Sequence, residues 1–422
     1  AGIKRVVVKL GDRGVVCAEG GNVLHIPGHR VKAVDTTAAG DTFAGALAVA
    51  MGEGLSLEEA CSFANAAAAL SVTGEGAQPS MPWRGEIEDF LAKSESPANV
   101  TGSRIPVLID CDPGHDDAIA LMLAFGSGCL DVLGVTTVAG NGEGADTYRN
   151  ARKILKLLGA DVPVARGSDC PLIRRLVTAP SVHGATALDG PKLPEVHDHV
   201  PQIAAIDLIG QVLTGPHALA AKDGLERTAG RKIVWIATGP LTNVAIALLA
   251  RPGIKENLER IVLMGGAVGA GNRTPSAEFN IHVDPEAAKV VFNSGVPLTM
   301  IGLDVTHKAL VYPNEVENLR IAGRVGKIAA ELLDFYSRFY RGQGFKGNPI
   351  HDAVAVAHVI DGSLVATRRA RVEVEIHGEF TAGRTVADLS PEGEATANCD
   401  VGLDINREAF VGLLHSAIRS LS

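Results

Sequence analysis

The chain has 422 residues, a length that predicts more than one domain. Hydrophobic residues make up 46% and charged residues 21%, the balance of a globular protein with a large core. The net charge of −9 and the lack of Lys/Arg runs argue against a nucleic acid polymer as partner. No apolar stretch is long enough to span a membrane, which argues against a membrane partner.

The front of the chain predicts a short α/β segment. Residues 6–10 form a β-branched run that ends in a turn, as a strand does. Two Ala-rich stretches, about 42–51 and 57–72, predict helices. Residues 94–104 mix polar residues with Pro and Gly without periodicity, and we interpret them as a linker between residues 1–93 and 105–422.

Beyond the linker, apolar strands alternate with helices. The predicted strands are 107–109, 132–138, 233–237, 261–264 and 298–301, and a helical stretch follows each of them. Continuous apolar strands of this kind predict an α/β fold with a mostly parallel sheet and helices on both faces. Ligands of such sheets bind at the carboxyl ends of the strands.

Four aspartates follow the first of these strands: Asp110, Asp112, Asp116 and Asp117. Carboxylates this close repel one another, so a turn that holds them together needs a cation. Oxygen ligands favour Ca²⁺ or Mg²⁺, and the lack of nearby Cys or His pairs argues against zinc. The alternative is an acidic helix cap on a solvated loop.

The segment Asp-Cys-Asp-Pro-Gly-His-Asp-Asp-Ala, residues 110–118, resembles the signature of the inosine-uridine-preferring nucleoside hydrolase family. The similarity extends over 105–422 and is especially close to the ribosylpyrimidine nucleosidases. Further family segments follow in the expected order, at 138–141, 238–243, 277–280, 284–288 and 350–352.

This resemblance implies a site built around Ca²⁺, with the family's roles carried onto matching residues. The implied calcium ligands are Asp112, Asp117, the carbonyl of Thr238, and Asp352. Asp112 would also be the general base, and Asp110 would support the cluster. The implied substrate-binding residues are Asp116, Asn141, Asn272, Glu278 and Asn280, and His183 is a further candidate that would line the pocket for the base. Besides Asp112, the catalytic residues would be His351, which matches a histidine near the leaving base, and Asn280.

Each of these residues also has a structural interpretation. Asn141 follows a glycine and could be a turn residue. Glu278 and Asn280 could be surface groups, and His351 could simply begin a helix. We assign no role to His115, while Tyr336, Tyr340 and Phe345 are candidates for contact with the base.

Residues 1–93 resemble a different family, the ribokinases, over only the carboxyl-terminal third of such an enzyme. The motif residues are 9–15, 35–43 and 76–80. The resemblance implies an anion-binding turn at Ala39 and Gly40, with Asp41 as the base that deprotonates the sugar hydroxyl. Asp35 and Thr37 match positions associated with a monovalent cation. The alternative is an ordinary turn before an Ala-rich helix.

We therefore expect hydrolysis of ribonucleosides, uridine and cytidine foremost, to ribose and free base. One alternative is a fragment of a bifunctional enzyme whose kinase half is active when complete. Another is a regulator that binds nucleoside or ribose without catalysis. A cytoplasmic homo-oligomer is expected, because the six scattered cysteines suggest a reducing compartment and the family resemblance suggests assembly.

Overall fold

The computed structural model describes residues 4–11, 14–19, 22–26, 28–29, 31, 33–74, 76–95, 104–196, 203–214 and 231–421. The chain divides into two compact units, Ala1–Thr101 and Gly102–Ser422. This division falls inside the predicted linker 94–104, of which residues 96–103 lie outside the described residues.

The first unit contains an antiparallel sheet and three helices. The strands, in sheet order, are β1 (Arg5–Lys9), β2 (Val15–Glu19) and β3 (Asn22–Ile26). The helices are α1 (Ala39–Gly52), α2 (Leu57–Ser71) and α3 (Arg84–Glu95). Helix α1 begins earlier than predicted, because Ala38 takes a left-handed conformation with φ 63° and turns the chain into the helix.

The second unit is built on a nine-stranded sheet. Its strands, with the separate pair β10–β11, are β4 (Ile105–Cys111), β5 (Leu130–Thr137), β6 (Val164–Arg166), β7 (Ile233–Ala237), β8 (Leu258–Met264), β9 (Leu298–Ile301), β10 (Leu310–Val311), β11 (Asn348–Pro349), β12 (Val365–Val374), β13 (Thr385–Asp388) and β14 (Cys399–Ile405). The sheet order is β13-β12-β14-β9-β8-β7-β4-β5-β6. The seven strands from β14 to β6 are parallel, and β12 and β13 extend one edge as antiparallel strands.

The helices of the second unit follow the strands along the chain. They are α4 (His115–Gly126), α5 (Gly144–Leu158), α6 (Pro180–His183), α7 (Ala205–Thr214), α8 (Thr242–Ala250), α9 (Phe279–Val283), α10 (Pro285–Phe292), α11 (Leu303–Thr306), α12 (Pro313–Arg320), α13 (Gly323–Gly342), α14 (His351–Ile360), α15 (Pro391–Ala395) and α16 (Arg407–Ser420). Two 3₁₀ helices lie at Pro252–Asn257 and Gly362–Leu364. Among the described helices, none is both long and apolar enough to cross a bilayer.

Side chains on the two faces of the central strands enter two separate cores. Val107 and Ile109 pack with α4, α5, α13, α14 and α16 on one face. Leu108, between them, packs with α7, α8 and α10 on the other face. Alternate residues of a strand point to opposite sides, so a strand covered on both faces is apolar throughout. The predicted α/β fold with a mostly parallel sheet and helices on both faces is confirmed.

Candidate active site

The candidate residues lie together because they follow the carboxyl ends of neighbouring parallel strands, at one edge of the sheet. Asp112 follows β4 directly, and Thr238 follows β7. The two strands are neighbours, and the Thr238 amide donates to the Asp110 carbonyl at 2.8 Å. Asn141 comes four residues after β5, on the other side of β4. Helix α14 packs against α4, and its first turn carries His351 and Asp352.

Three carboxylates meet at this edge: those of Asp116, Asp117 and Asp352 offer oxygen atoms that all lie within 4.8 Å of one another. Asp116 and Asp117 occupy the first turn of α4, which begins at His115 because Asp117 accepts the Gly114 amide at 3.0 Å. The Asp352 side chain hydrogen-bonds those of both Asp116 and Asp117. Acidic residues from two distant segments of the chain therefore form one buried cluster.

Asp112 adjoins this cluster. Its Oδ2 accepts the Asn141 amide at 2.7 Å, while the Asn141 side chain donates to Asp117 Oδ2 at 3.1 Å. The other oxygen, Oδ1, is buried and accepts no hydrogen bond from any described residue. Behind it, Asp110 is held by Thr136 and Asn243, whose side chains donate to its Oδ1 at 2.5 and 2.8 Å.

Burial and mutual repulsion make these carboxylates hard to ionise. Burial, followed by the charge of Asp117, raises the pKa of Asp112 well above its usual value. The same two causes raise the pKa of Asp116 to about 7. Burial and the charges of its three neighbours raise the pKa of Asp352 well above the ordinary range. A cluster with these properties is stable in ionised form only if a cation compensates its charge.

The donor set fits a hard divalent cation. Every ionisable group of the cluster is a carboxylate, and the Asp112 Oδ1 without a partner leaves a buried lone pair available. Oxygen ligands of this kind suit Ca²⁺ or Mg²⁺. The Thr238 carbonyl accepts the Asn280 side chain at 2.7 Å and retains a second lone pair for an ion.

A cavity of about 430 Å³ opens above the cluster. Its wall contains nearly all the predicted substrate-binding and catalytic residues, namely Asp116, Asn141, His183, Asn272, Glu278, Asn280 and His351, together with Thr238 and Asp352. Tyr336, Tyr340 and Phe345, the candidates for contact with the base, also line it. Asp112 and Asp117 lie among the buried residues beneath this wall.

One polar wall of the cavity comes from the loop after β8. Glu278 accepts the backbone amides of Gly266, Asn280 and Ile281 at 2.9–3.1 Å, and burial raises its pKa to about 6. Asn272 accepts the Phe279 amide through Oδ1 at 2.9 Å, so its side-chain amide hydrogens remain free for a ligand. The Asn280 side chain donates to Thr238 and to the Met264 carbonyl at 3.1 Å. These bonds fix the side chains before a ligand arrives.

Hydroxyl groups surround His351. Its Nδ1 lies 2.7 Å from Thr306 Oγ1, and its Nε2 lies 2.9 Å from the Tyr340 hydroxyl. The Tyr336 hydroxyl lies 3.3 Å from that of Tyr340 and also hydrogen-bonds the Asp116 side chain. Burial lowers the pKa of His351 to about 3, so the ring is neutral. Both ring nitrogens of His351 therefore already have hydrogen-bond partners.

Sequence reasoning missed His115. Its ring is buried, and its Nδ1 lies 3.1 Å from Nδ1 of His183 in the cavity wall. Burial lowers the pKa of His115 to about 4. The only sequence signal was a histidine inside the aspartate motif, because its partner comes from a loop far along the chain. Asn243, which holds Asp110, was equally unassigned, although it ends the segment 238–243 that carries the resemblance.

The kinase-like residues of the first unit are also close together. Asp35 accepts the Thr37 amide and hydroxyl at 2.9 and 2.6 Å, and the Gly76 amide at 3.0 Å, which joins two of the predicted motif segments. Lys9 donates to the Gly40 carbonyl at 3.0 Å, and Asp41 is exposed in the first turn of α1, two residues after Ala39. Asp12 and Arg13 of the predicted motif lie outside the described residues.

Comparison with known proteins identifies the family. Residues 107–412 match the family described as inosine-uridine preferring nucleoside hydrolase. The chain belongs to this family. It is a ribonucleoside hydrolase, an enzyme that releases ribose and free base from ribonucleosides.

Several relatives of this nucleoside hydrolase are known. The pyrimidine-specific ribonucleoside hydrolase RihA of Citrobacter koseri is 45% identical over 314 residues, which cover 74% of this chain and 96% of that protein. RihA of Salmonella arizonae is 43% identical over 319 residues, covering 75% and 98%. Among solved structures, the purine-preferring ribonucleoside hydrolase from Gardnerella vaginalis has a TM-score of 0.67 at 31% identity, covering 75% of this chain and 98% of that one.

The first unit has a different relationship. Residues 1–84 match the pfkB family of carbohydrate kinases. The predicted resemblance of the front segment to a sugar kinase is therefore confirmed for this part of the chain.

Proposed function

We propose that this hydrolase acts on uridine and cytidine in preference to purine nucleosides, and that its resident ion is Ca²⁺. The observation that carries the proposal is the convergence of Asp112, Asp116, Asp117 and Asp352 beneath a cavity of nucleoside size. Calcium accepts six to eight oxygen ligands in irregular geometry, which suits carboxylates from two segments and the Thr238 carbonyl. When bound, the ion would offset the carboxylate charge and make an attacking water more acidic.

Asp112 is the general base in this proposal. Asn141 fixes one of its oxygens, and the other, Oδ1, has no partner and can take a proton from water. The Asp112 carboxylate removes a proton from the water as the water attacks C1′ of the ribose. The bond between C1′ and the nucleobase breaks in the same step. Asp110 stays beneath the cluster and is held by Asn243, so its role is support.

The sugar is bound by polar groups that are already oriented. Asn272, Glu278 and Asn280 form one wall, and Asp116 and Asn141 lie beside the ion site. Amide and carboxylate groups suit ribose hydroxyls, because each hydroxyl both donates and accepts. Orientation by several fixed groups can contribute several kcal/mol to the rate.

The leaving base needs a hydrogen-bond donor as its bond to C1′ breaks. Tyr340 lines the cavity and lies in hydrogen-bond contact with both Tyr336 and His351. Burial raises the pKa of Tyr340, so its hydroxyl keeps its hydrogen at neutral pH. The Tyr340 hydroxyl therefore interacts with the leaving nucleobase. His351 contacts that hydroxyl and acts on the nucleobase only through Tyr340.

The relatives described above have two different substrate preferences. The RihA proteins, at 43–45% identity, are named pyrimidine-specific. The structural neighbour from Gardnerella vaginalis, at 31% identity, is named purine-preferring. The higher identity favours pyrimidine nucleosides for this chain, and purine nucleosides are the second candidate.

The test is a comparison of kcat/KM for uridine, cytidine and inosine, measured as release of reducing sugar. Uridine and cytidine should exceed inosine, and a tenfold advantage for inosine would reject the preference. The same assay in excess chelator should lose activity and regain it with Ca²⁺. Full activity in chelator would reject the ion site, and a protein that binds nucleosides but hydrolyses none would support the regulator alternative.

The first unit is not expected to phosphorylate ribose in this chain. The kinase match covers residues 1–84, and these residues resemble only the carboxyl-terminal third of a ribokinase. The full 422-residue protein with ribose and ATP should form no ribose 5-phosphate. ATP-dependent formation of that product would show that the unit is active.

The proposal also covers the oligomeric state and the cellular compartment of the enzyme. The enzyme is a cytoplasmic homo-oligomer, and its six free cysteines are consistent with a reducing compartment. Light scattering on the purified protein tests the oligomer, which a monomeric mass would exclude.

A further inference from the structure

The loop after β8 places an arginine at the mouth of the substrate cavity. Arg273 lines the cavity beside Asn272, and both residues are exposed. The Arg273 guanidinium forms no hydrogen bond or ion pair with any described residue, whereas Arg174 is paired with Glu286 at 2.9 Å. Nothing in the hydrolysis of an uncharged nucleoside requires a cation at this place.

The surrounding groups leave the charge of Arg273 uncompensated. Glu278, the carboxylate on the same wall, is buried and accepts the backbone amides of Gly266 and Ile281 at 3.0 and 3.1 Å instead. After burial, the charge of Arg273 is the next cause that lowers the pKa of His282. The mouth of the cavity therefore has an exposed positive charge, although the whole chain has a net charge of −9.

The backbone that carries Arg273 is held in a tight turn. The Gly271 amide donates to the Pro275 carbonyl, and the Arg273 amide donates to the Ala277 carbonyl, both at 3.1 Å. The Thr274 hydroxyl accepts the Ala277 amide at 2.9 Å. A Cβ on Gly271 would lie 2.2 Å from the Ala277 carbonyl oxygen, so the turn is closely packed. Arg273 therefore extends from a fixed position at the cavity mouth.

The stereochemistry of a β-ribonucleoside determines which of its groups points toward Arg273. The nucleobase and the C5′ group lie on one face of the ribose ring, and the 2′- and 3′-hydroxyls lie on the other. Water that gives its proton to Asp112 attacks C1′ from the side opposite the leaving nucleobase, so the hydroxyl face turns toward the carboxylate cluster. The nucleobase and C5′ both point toward the cavity opening. With the nucleobase at Tyr340, the C5′ group on the other edge of the ring faces Asn272 and Arg273.

We propose that Arg273 binds the phosphate of nucleoside 5′-monophosphates, which this enzyme hydrolyses to free base and ribose 5-phosphate. The inference rests on the proposed function, because the bond broken is the same: water adds to C1′, the C1′–N bond breaks, and the proton lost by the water is balanced by the one gained by the base. The phosphate ester stays intact. The paired N–H groups of a guanidinium match phosphate oxygens, and the free amide hydrogens of Asn272 provide a second donor. Because both residues are exposed, the phosphate stays in contact with water and its charge is not buried.

The first test gives the full chain uridine 5′-monophosphate and identifies the sugar product. Ribose 5-phosphate and uracil should form, with a kcat/KM within about tenfold of that for uridine. The sugar product must be ribose 5-phosphate, because a phosphatase impurity followed by nucleoside hydrolysis would give ribose. High salt should slow this reaction more than hydrolysis of uridine, since ions screen exposed charges. Hydrolysis of uridine without any release of ribose 5-phosphate from the monophosphate would overturn the proposal.

The second test compares variants by the ratio of kcat/KM for uridine 5′-monophosphate to kcat/KM for uridine. Any general effect on the fold or the sugar wall cancels in this ratio. Arg273→Ala should lower the ratio about tenfold, the effect of losing hydrogen bonds to a charged group. Arg273→Lys keeps the charge without the paired donors and should recover part of the loss. Arg369 is exposed on β12, and Arg369→Ala is the matched control that should leave the ratio unchanged. An unchanged ratio in Arg273→Ala would contradict the assignment.

Binding of the two sugar products separates this inference from the proposed function. Calorimetry on the full chain with Ca²⁺ present should show an affinity for ribose 5-phosphate about tenfold higher than that for ribose, and Arg273→Ala should abolish the difference. Neither sugar has a nucleobase or a glycosidic bond, so the result depends neither on catalysis nor on the preferred nucleobase. Equal affinities for the two sugars in the unaltered protein would overturn the proposal even if uridine is hydrolysed.

Discussion

The carboxylate of Asp112 shows how one side chain can be prepared for catalysis. One oxygen is fixed by Asn141, while the other is buried without a partner. A buried lone pair without a donor is costly, and proteins rarely keep one unless it has a use. In the proposed mechanism, this unpaired oxygen can coordinate a cation or accept a proton from a water molecule.

Asp112→Asn tests this role. The amide keeps the shape but cannot take a proton, so kcat for uridine should fall about 10²–10⁴-fold, the usual contribution of a general base. Steady-state kinetics give the value, and circular dichroism shows whether the fold persists. The matched control is Asp400→Asn on β14, because Asp400 is exposed and far along the sheet from β4. Unchanged kcat in Asp112→Asn would exclude the assignment.

Tyr340→Phe tests the contact with the leaving base. Removing the hydroxyl breaks the connection from His351 and Tyr336 to the ligand, so hydrolysis of uridine should slow by about 10²-fold. A riboside of 4-nitrophenol needs no hydrogen bond to its leaving group, and its hydrolysis should be nearly unchanged. Equal losses on both substrates would mean that Tyr340 acts on the sugar or on packing instead.

At the scale of elements, the site depends on turns in which the backbone comes very close to the carboxylates. Gly140 follows β5, and a Cβ at this position would lie 2.2 Å from Asp112 Oδ2 and 2.8 Å from Cδ of Pro240. Proline cannot move far, so an added methyl group would displace the aspartate. The strand and turn geometry therefore restricts the position of Asp112, the proposed general base, in addition to its hydrogen bonds.

Gly140→Ala should consequently lower kcat/KM by at least tenfold and weaken calcium binding, both through displacement of Asp112. Activity and calcium titration by calorimetry provide the measurements. A Cβ on Gly412 in α16 would meet no atom within 4 Å, so Gly412→Ala is the matched control. That control should keep full activity and gain up to about 1 kcal/mol of stability, because alanine favours the helix. Normal activity of Gly140→Ala would contradict the close approach.

The sequence predicted these elements unequally. Residues 110–117 follow a buried strand, and parallel-sheet geometry places such residues at one edge, so the cluster was expected there. The four aspartates were predicted to lie in a turn, whereas Asp116 and Asp117 form the first turn of α4. The antiparallel strands β12 and β13 were not predicted.

The least predictable contacts join segments far apart in sequence. Nothing near His115 indicates that the loop at 184–189 folds back to hold it. Likewise, Tyr336 and Tyr340 meet His351 only because the packing of α13 brings them to the cavity. Local patterns specify elements, while such contacts depend on how the elements pack.

For the whole molecule, the buried carboxylates connect stability with pH. Burial raises the pKa of Asp110 and of Asp116 to about 7, from the usual value of 3.8. In the ion-free protein these groups keep protons that the unfolded chain has released. The stability they contribute is complete below pH 3.8 and is lost as the pH rises through about 7.

Calcium should reverse this trend, because it binds ionised carboxylates. We expect the increase in Tm caused by saturating Ca²⁺, relative to chelator, to be larger at pH 8 than at pH 5. At one hundred times Kd the ion contributes about 2.7 kcal/mol, which corresponds to a shift of roughly 4 °C for a unit of this size. Thermal unfolding followed by fluorescence measures it. Asp352→Asn should reduce the shift at both pH values, and a shift independent of pH would contradict the raised pKa values of the cluster.

The long separation between Asp352 and the other three carboxylates affects how the protein is made. During translation, the segment with Asp112, Asp116 and Asp117 leaves the ribosome well before α14 has been synthesised. A nascent chain at that stage contains three carboxylates of the cluster but lacks Asp352, the fourth. Tight calcium loading would then be a property of the finished enzyme, and incomplete translation products would be left without the ion.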